Sequence, residues 1–414
     1  MPTREDFISA YLDYIGDTEA PITFHRWSCL AILGSWLGKR YQFQFGHSDI
    51  ACNLYVMLMG GAGSRKSTAI KIAVKLLRNA GYNTIAAERS SKEKFLMDLA
   101  GEGIDEGEVD IMEQNLFGKP DRIAEILIGA DEFNVFVGNG NIEFLSLLGT
   151  LWDWKGPFED RKKNSKSLII GDPCVSILAG NTATGFSLAF PSEAIGQGIF
   201  SRLLLVHGDK TDRKIAFPDP PDISKEANLV RYLQEIRITC TGLASIEARA
   251  KSLLSAIYEG WTGSTMDIRF ESYSNRRFSQ LIKLSLLCSA AALRNTIIES
   301  DVIYANTMLV NAEHSMPKAL GEFGKSKNSD VSNKIMQLLA GTYTPMPLKD
   351  LWKHVHNDLK DMSEMKDLLN NLYQADKILS HKTGWLIKRA VLEENSNSTV
   401  DFSLLSEEER KYIC

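Results

Sequence analysis

"LMGGAGSRKSTAIK", residues 58–71, is the stretch on which the fold turns. It nearly spells the phosphate-loop pattern G-x-x-x-x-G-K-[ST], with Gly60 first, Lys66 and Ser67 last, and Arg65 where the pattern has its second glycine. Such a loop needs a strand before it, a helix after it, and small residues between whose backbone N–H groups can turn inward. NLYVMLM (53–59) is an apolar run of strand length, and TAIKIAVKLLRNAGY (68–82) keeps helical spacing up to Gly81. The amides of Gly61 to Ser67 then form an anion nest at the positive end of a helix. On this reading Gly60, Gly61, Ala62, Gly63, Ser64, Arg65, Lys66, Ser67 and Thr68 hold the phosphates of ATP. Lys66 reaches the β and γ phosphates and Ser67 ligates Mg²⁺. Arg65 is tolerated because backbone angles near a helix start need not demand glycine and its side chain can point away. The competing reading is a glycine turn before a helix, with no ligand.

A second motif supports the first. In ILIGADEF (126–133) an apolar run ends at Asp131-Glu132, sixty-five positions after Lys66. Asp131 is placed to hold Mg²⁺ through water, and Glu132 to act as general base on the attacking water. A third apolar run, VSILAGN (175–181), ends in Asn181, which is suited to orienting that water between the other two strand tips.

Composition sets the limits. A chain of 414 residues exceeds one ordinary domain. Its 44% hydrophobic and 24% charged content is that of a globular protein. The net charge of −5 excludes a wholesale basic fold, so nucleic-acid contacts must be local. The six cysteines are scattered, with no C-x-x-C pair, as in a reducing compartment. No apolar run approaches the roughly 20 residues of a membrane helix, and the N-terminus lacks a signal-peptide core. The expectation is a cytoplasmic protein without membrane contact.

The expected architecture is α/β: an N-terminal helical segment (1–48), with the amphipathic run FHRWSCLAILGSWLGKR (24–40), then a parallel-sheet ATPase core (49–208). An acidic insertion (101–117) and a proline-rich linker (209–226) precede a helical region (227–322). GKSKNSD (324–330) reads as a second linker. Over 331–390 the order helix, helix, helix, two short strands around Thr383-Gly384 predicts a winged helix. Residues 391–414 are polar and acidic and read as a flexible tail.

These motifs in this order resemble a AAA+ ATPase, and more narrowly the minichromosome-maintenance helicases, over roughly residues 50–390. That family also tolerates a residue other than glycine before the loop lysine. By resemblance, GIFSRLLLV (198–206) makes Arg202 the arginine finger that completes a neighbour's site. RRFSQLIKLS (276–285) makes Arg276 the second sensor, with Arg277 in reserve. The resemblance also implies a parallel-sheet core with a helical lid and a C-terminal winged helix, in a homo-oligomeric, hexameric ring. In that family a hairpin just before the first sensor strand grips DNA in the pore. Here FEDRKKNSKSLIIGDPCVSIL (158–178) carries Arg161, Lys162, Lys163 and Lys166 at that place. A basic tip of this kind pulls single-stranded or forked DNA by its phosphates without regard to sequence. The family's large N-terminal zinc-bearing DNA-binding domain has no counterpart. The first 48 residues look instead like phage and mobile-element replication ATPases, which often work beside a primase and would act in the host cytosol or nucleoid. The alternative is a AAA+ switch that does not translocate, such as a helicase loader, an initiator or a defence ATPase. A phosphate-loop kinase is disfavoured because it needs neither arginine finger nor winged helix.

Overall fold

The computed structural model describes residues 6–16, 18–101, 123–161, 167–190, 198–261, 263, 268–321, 327–342, 344–374, 377–387 and 399–411. The acidic insertion apart from Gly101, and the hairpin tip with Lys162, Lys163 and Lys166, lie outside them.

The architecture is α/β around a four-stranded parallel sheet. Helices α1 (Phe7–Ile15) and α2 (Ile22–Leu37) lead to an antiparallel hairpin, β1 (Tyr41–Phe45) and β2 (Ser48–Ala51). Then come β3 (Tyr55–Met59), α3 (Lys66–Asn79) and β4 (Ile123–Ala130). The short antiparallel pair β5 (Phe158–Asp160) and β6 (Leu168–Ile170) runs into β7 (Asp172–Asn181), and β8 (Leu203–His207) follows. The order across the sheet is β4-β7-β3-β8. β3 is buried along its whole length and β7 nearly so, as expected of parallel strands covered on both faces. Among the described residues β4 is the last strand on its side, with a single parallel bridge from Ile85 to Leu127 beyond it. The chain passes from β3 to β4 and fills the gap with β7, so the carboxyl ends of β3, β7 and β4 lie side by side.

α2 departs from the expected amphipathic helix. All of it but Ile22 is buried, because α1, α3, β7 and two later helices surround it. Some of its polar groups have internal partners: the His25 ring meets Thr18 Oγ1 at 2.7 Å. Arg26 donates twice to Glu409 (2.8 and 2.9 Å) and to the Tyr304 hydroxyl (2.7 Å).

One hydrophobic core runs from Phe7 to Leu320 and takes in Leu405; it joins the N-terminal helices, the sheet and the helices of 223–320. Three small strands, β9 (Gly242–Leu243), β10 (Ser245–Ile246) and β11 (Thr296–Ile297), tie those helices to β1 and to each other. A second core, from Val331 to Ile387, belongs to the helices Lys327–Ala340, Leu348–Val355 and Met362–Gln374 and the hairpin β12 (Ile378–His381) and β13 (Gly384–Ile387). The first of these helices begins at Lys327, inside the stretch read as a linker.

The tail reading needs correction over residues 399–411. This segment returns to the first core, where Leu405 is buried, Ser406 caps the helix Glu407–Arg410, and Glu409 is buried against Arg26. A buried guanidinium requires a carboxylate, and Glu409 supplies it. The 209–226 reading changes as well. Within residues 208–222 the first part is tied down: Thr211 Oγ1 donates to the Glu19 carbonyl, and Arg213 to the carbonyls of Gly16 and Thr18. No described helix is long and apolar enough to cross a membrane.

Candidate nucleotide site

The loop between β3 and α3 forms a tight cup. A Cβ on Gly60 would sit 2.6 Å from the Gly208 carbonyl and 2.7 Å from Ser64 Oγ, so only glycine fits. Ser64 folds back, its N–H and Oγ both donating to the Gly61 carbonyl. Gly61, Ala62 and Gly63 are exposed to solvent, leaving the rim open. Lys66 is buried, and its ammonium donates to the carbonyls of Gly60 (2.7 Å) and Gly61 (2.9 Å) and to Ser64 Oγ (3.2 Å). Burial pulls its pKa below the ordinary lysine value and the nearby Glu132 partly offsets this, so the cation is held by loop oxygens that a phosphate could replace.

The backbone at Arg65 differs from expectation. Its φ is +63° and its ψ 24°, the left-handed region that favours glycine. For an L-residue this conformation costs roughly 1 kcal/mol. The side chain does point away from the cup, and both Nε (2.8 Å) and an η nitrogen donate to Glu19 Oε2.

The other predicted residues of the site converge on this cup from neighbouring strand ends. Met59 stands beside Asn181 in the sheet, and the Gly60 N–H donates to the Asn181 carbonyl at 3.3 Å. Gly180 lets three elements meet: a Cβ there would lie 2.6 Å from the Asp131 carbonyl and 3.4 Å from Lys66 Cβ. Asn181 is buried, its Oδ1 accepts the Thr182 N–H, and its Nδ2 has no hydrogen-bond partner among the described residues. A buried amide donor without a partner is costly, and an oriented water or a phosphate oxygen would satisfy it. Asp131 follows directly on β4, and Glu132, exposed, begins the helix Phe133–Val137. Sequence reasoning missed Lys71, whose ammonium lies 2.8 Å from Asp131 Oδ2 and is held above its ordinary pKa by that carboxylate. Its position one helical turn beyond Ser67 was the available signal.

Among the described residues no three His, Cys, Asp or Glu side chains gather into a metal cage. The donors present are the Ser67 hydroxyl and the Asp131 carboxylate. They fit Mg²⁺, which is commonly held by one or two carboxylates together with substrate phosphates and water.

Arg202 and Arg276 lie elsewhere. Arg202 precedes β8, where Leu203 pairs with Tyr55 at the far end of β3. It is therefore at least four strand residues, roughly 13 Å, from its own loop. The two arginines share Asp153, each 3.5 Å from one of its oxygens, and each lies 5.6 Å from the centre of the Trp152 ring. Burial, then the charge of Arg276, pulls the Arg202 pKa down. The reserve residue Arg277 is occupied: it is buried over Trp261 and donates to Glu313 and Asn306. A third cation, Lys283, sits 4.3 Å from the centre of the Trp152 ring.

The β5–β6 pair roots at the start of β7, at Asp172, roughly 30 Å of strand from Asn181. Asp172 fixes that root by accepting from Lys39 Nζ (2.7 Å) and the Gly156 N–H (2.8 Å). Arg161, at the end of β5, pairs with Glu159. Two cavities of about 560 and 400 Å³ lie outside the cup, one lined by Asn79, Ile223 and Glu226 and the other by Tyr258, Trp261 and Phe278.

No model of a known protein family matches the chain, and comparison with curated proteins gives no match.

Proposed function

We propose that the chain is an ATP-driven, ring-forming DNA translocase or helicase, with a AAA+ core, a helical lid and a C-terminal winged helix. The observation that carries this reading is the division of the predicted residues between two ends of one sheet. Lys66, Ser67, Asp131, Glu132 and Asn181 gather at the carboxyl ends of β3, β4 and β7, where ligands of parallel α/β sheets bind. Arg202 and Arg276 lie together at the other end, out of reach of that cup. Arg276 is partly exposed there and Arg202 is buried, so Arg202 would have to leave Asp153 to meet a neighbour's triphosphate.

In this mechanism ATP supplies the transferable phosphoryl group and Mg²⁺ the neutralising charge. Lys66 and the loop amides would hold the phosphates, while Ser67, and Asp131 through water, would hold the metal. Glu132 takes the proton of the attacking water, and Asn181 Nδ2 orients that water. Arg202, from the adjacent subunit, stabilises charge on the transferring group, an effect worth ~10³-fold or more. The hairpin carrying Arg161, Lys162, Lys163 and Lys166 would track DNA phosphates as subunits move.

The test combines subunit mixing with strand separation. Lys66→Ala and Arg202→Ala each abolish turnover alone, and mixing them restores part of it, because some interfaces then hold both intact halves. Unwinding of a forked duplex by the wild type separates a translocase from a loader, which hydrolyses ATP without separating strands. Absence of rescue at every mixing ratio counts against a ring with arginines acting between subunits.

A further inference from the structure

We infer that Glu19 is a positioning residue for the phosphate loop, acting through Arg65; this rests on the nucleotide-site reading above. Arg65 occupies a left-handed conformation at the residue preceding Lys66, where the chain turns from loop into α3. Glycine accepts that conformation freely, whereas arginine must be held in it. The holding contact is visible. Two guanidinium nitrogens of Arg65 donate to Glu19 Oε2, and the other carboxylate oxygen accepts the Ile215 N–H at 2.9 Å. Glu19 is itself anchored, because Thr211 donates to its carbonyl at 2.6 Å. The Ile215 N–H, and then Arg65, keep its carboxyl below the ordinary carboxylate range. Charge on Lys210 acts in the same direction. The carboxylate is therefore ionised at neutral pH and bridges the 208–222 segment to the loop.

The consequence for the nucleotide is indirect. The contact fixes the direction of the peptide between Arg65 and Lys66, and with it the Lys66 N–H and the start of the helix that faces the phosphates. Arg65 turns its charge away from the cup, so it acts as a handle on the backbone. The sequence carries a non-glycine residue at this place and a compensating carboxylate forty-six positions earlier.

Binding of a fluorescent ATP analogue to the full chain, together with steady-state ATP turnover, tests this. Glu19→Ala is expected to raise the Kd and the KM for ATP about five- to tenfold while leaving kcat within twofold, since Glu132 and Asn181 are untouched. Arg65→Gly supplies the reference background, because glycine adopts the left-handed conformation without a holding contact. In that background Glu19→Ala is expected to change affinity less than twofold relative to Arg65→Gly alone, because glycine needs no holding. Glu19→Gln keeps a carbonyl for the Ile215 N–H and weakens only the ion pair, so it should fall between wild type and Glu19→Ala, and it reports even if the alanine variant folds poorly. Two outcomes overturn the inference: unchanged affinity in both Glu19 variants, or a Glu19→Ala effect of undiminished size in the Arg65→Gly background. Lys66→Ala separates this failure from that of the parent reading, which falls if that variant binds nucleotide normally.

Discussion

Lys283 offers a test in which the size of the effect follows from its surroundings. Its ammonium is buried between the sheet and the helix Arg277–Ala291, donating to the Asn53 carbonyl (2.9 Å) and to Asn53 Oδ1 (2.7 Å). No carboxylate pairs with it among the described residues, and it shares the Trp152 ring with two arginines. Burial pulls its pKa down from 10.5 to about 8. At about 1.4 kcal/mol per pH unit, keeping it charged in the fold costs roughly 3 kcal/mol. Between pH 8 and 10.5 the unfolded chain binds the proton more readily than the folded one, so this group's contribution to stability rises with pH across that window. Below pH 8 the whole penalty is present. The neutral amine still has two hydrogens for Asn53, so deprotonation removes the charge and keeps both contacts. Urea unfolding of wild type and Lys283→Met at pH 7, 8, 9 and 10 measures the effect as a difference. The neighbouring thiols of Cys52 and Cys174 are pushed up by burial, Cys174 to about 12, and stay protonated in the folded state of both proteins. The stability of wild type relative to the variant should increase by roughly 2 kcal/mol or more from pH 7 to 10. A flat difference over that range would refute a buried, desolvated ammonium at this position.

Three further outcomes follow from the packing. Gly180→Ala places a Cβ 2.6 Å from the Asp131 carbonyl, so it should cost about 1–3 kcal/mol in a thermal melt and remove most ATP turnover, whereas the same change at open Gly61 should be mild. Glu409→Ala leaves Arg26 buried without its carboxylate and should destabilise by about 3–5 kcal/mol in denaturant titration, with much of the loss recovered by Arg26→Met/Glu409→Leu. Replacing Lys162, Lys163 and Lys166 with alanine should weaken single-stranded DNA binding equally for all sequences and flatten its salt dependence by about 0.7 per lost phosphate contact, with basal ATP turnover kept.

The sequence made the parallel core legible because its strands are continuous apolar runs that end in chemistry-bearing residues. YVMLM before Gly60, ILIGA before Asp131 and VSILAG before Asn181 each need only local pattern to be recognised, and all three end at one edge of the sheet. The geometry at Arg65 was not legible, since residue type does not fix φ and its partner Glu19 is far away in sequence. The same holds for the tail: a polar, acidic segment reads as solvated, and only the burial of Arg26, 383 positions earlier, turns Glu409 into an interior residue. The full burial of α2 was hidden for a related reason. Its His, Arg, Ser and Trp residues mimic a polar face, and the partners of Arg26 and Trp36 lie on elements that sequence spacing cannot bring together. Arg202 and Arg276 were found singly; their meeting at Asp153 depends on the crossing of the helix Arg277–Ala291 over the start of β8, which no local motif encodes.

The most direct test of the nucleotide site is calorimetric titration of wild type and Lys66→Ala with Mg·ATP. The structure puts the only ammonium that the loop itself holds at the carbonyls of Gly60 and Gly61. Removing it should therefore weaken binding on the order of 100-fold or more, given about 1.5–3 kcal/mol for each charged hydrogen bond lost. One ATP should bind per wild-type chain, with no measurable heat in the variant under the same conditions. Equal affinity and stoichiometry in the two proteins, or no binding by wild type, would contradict the nucleotide site.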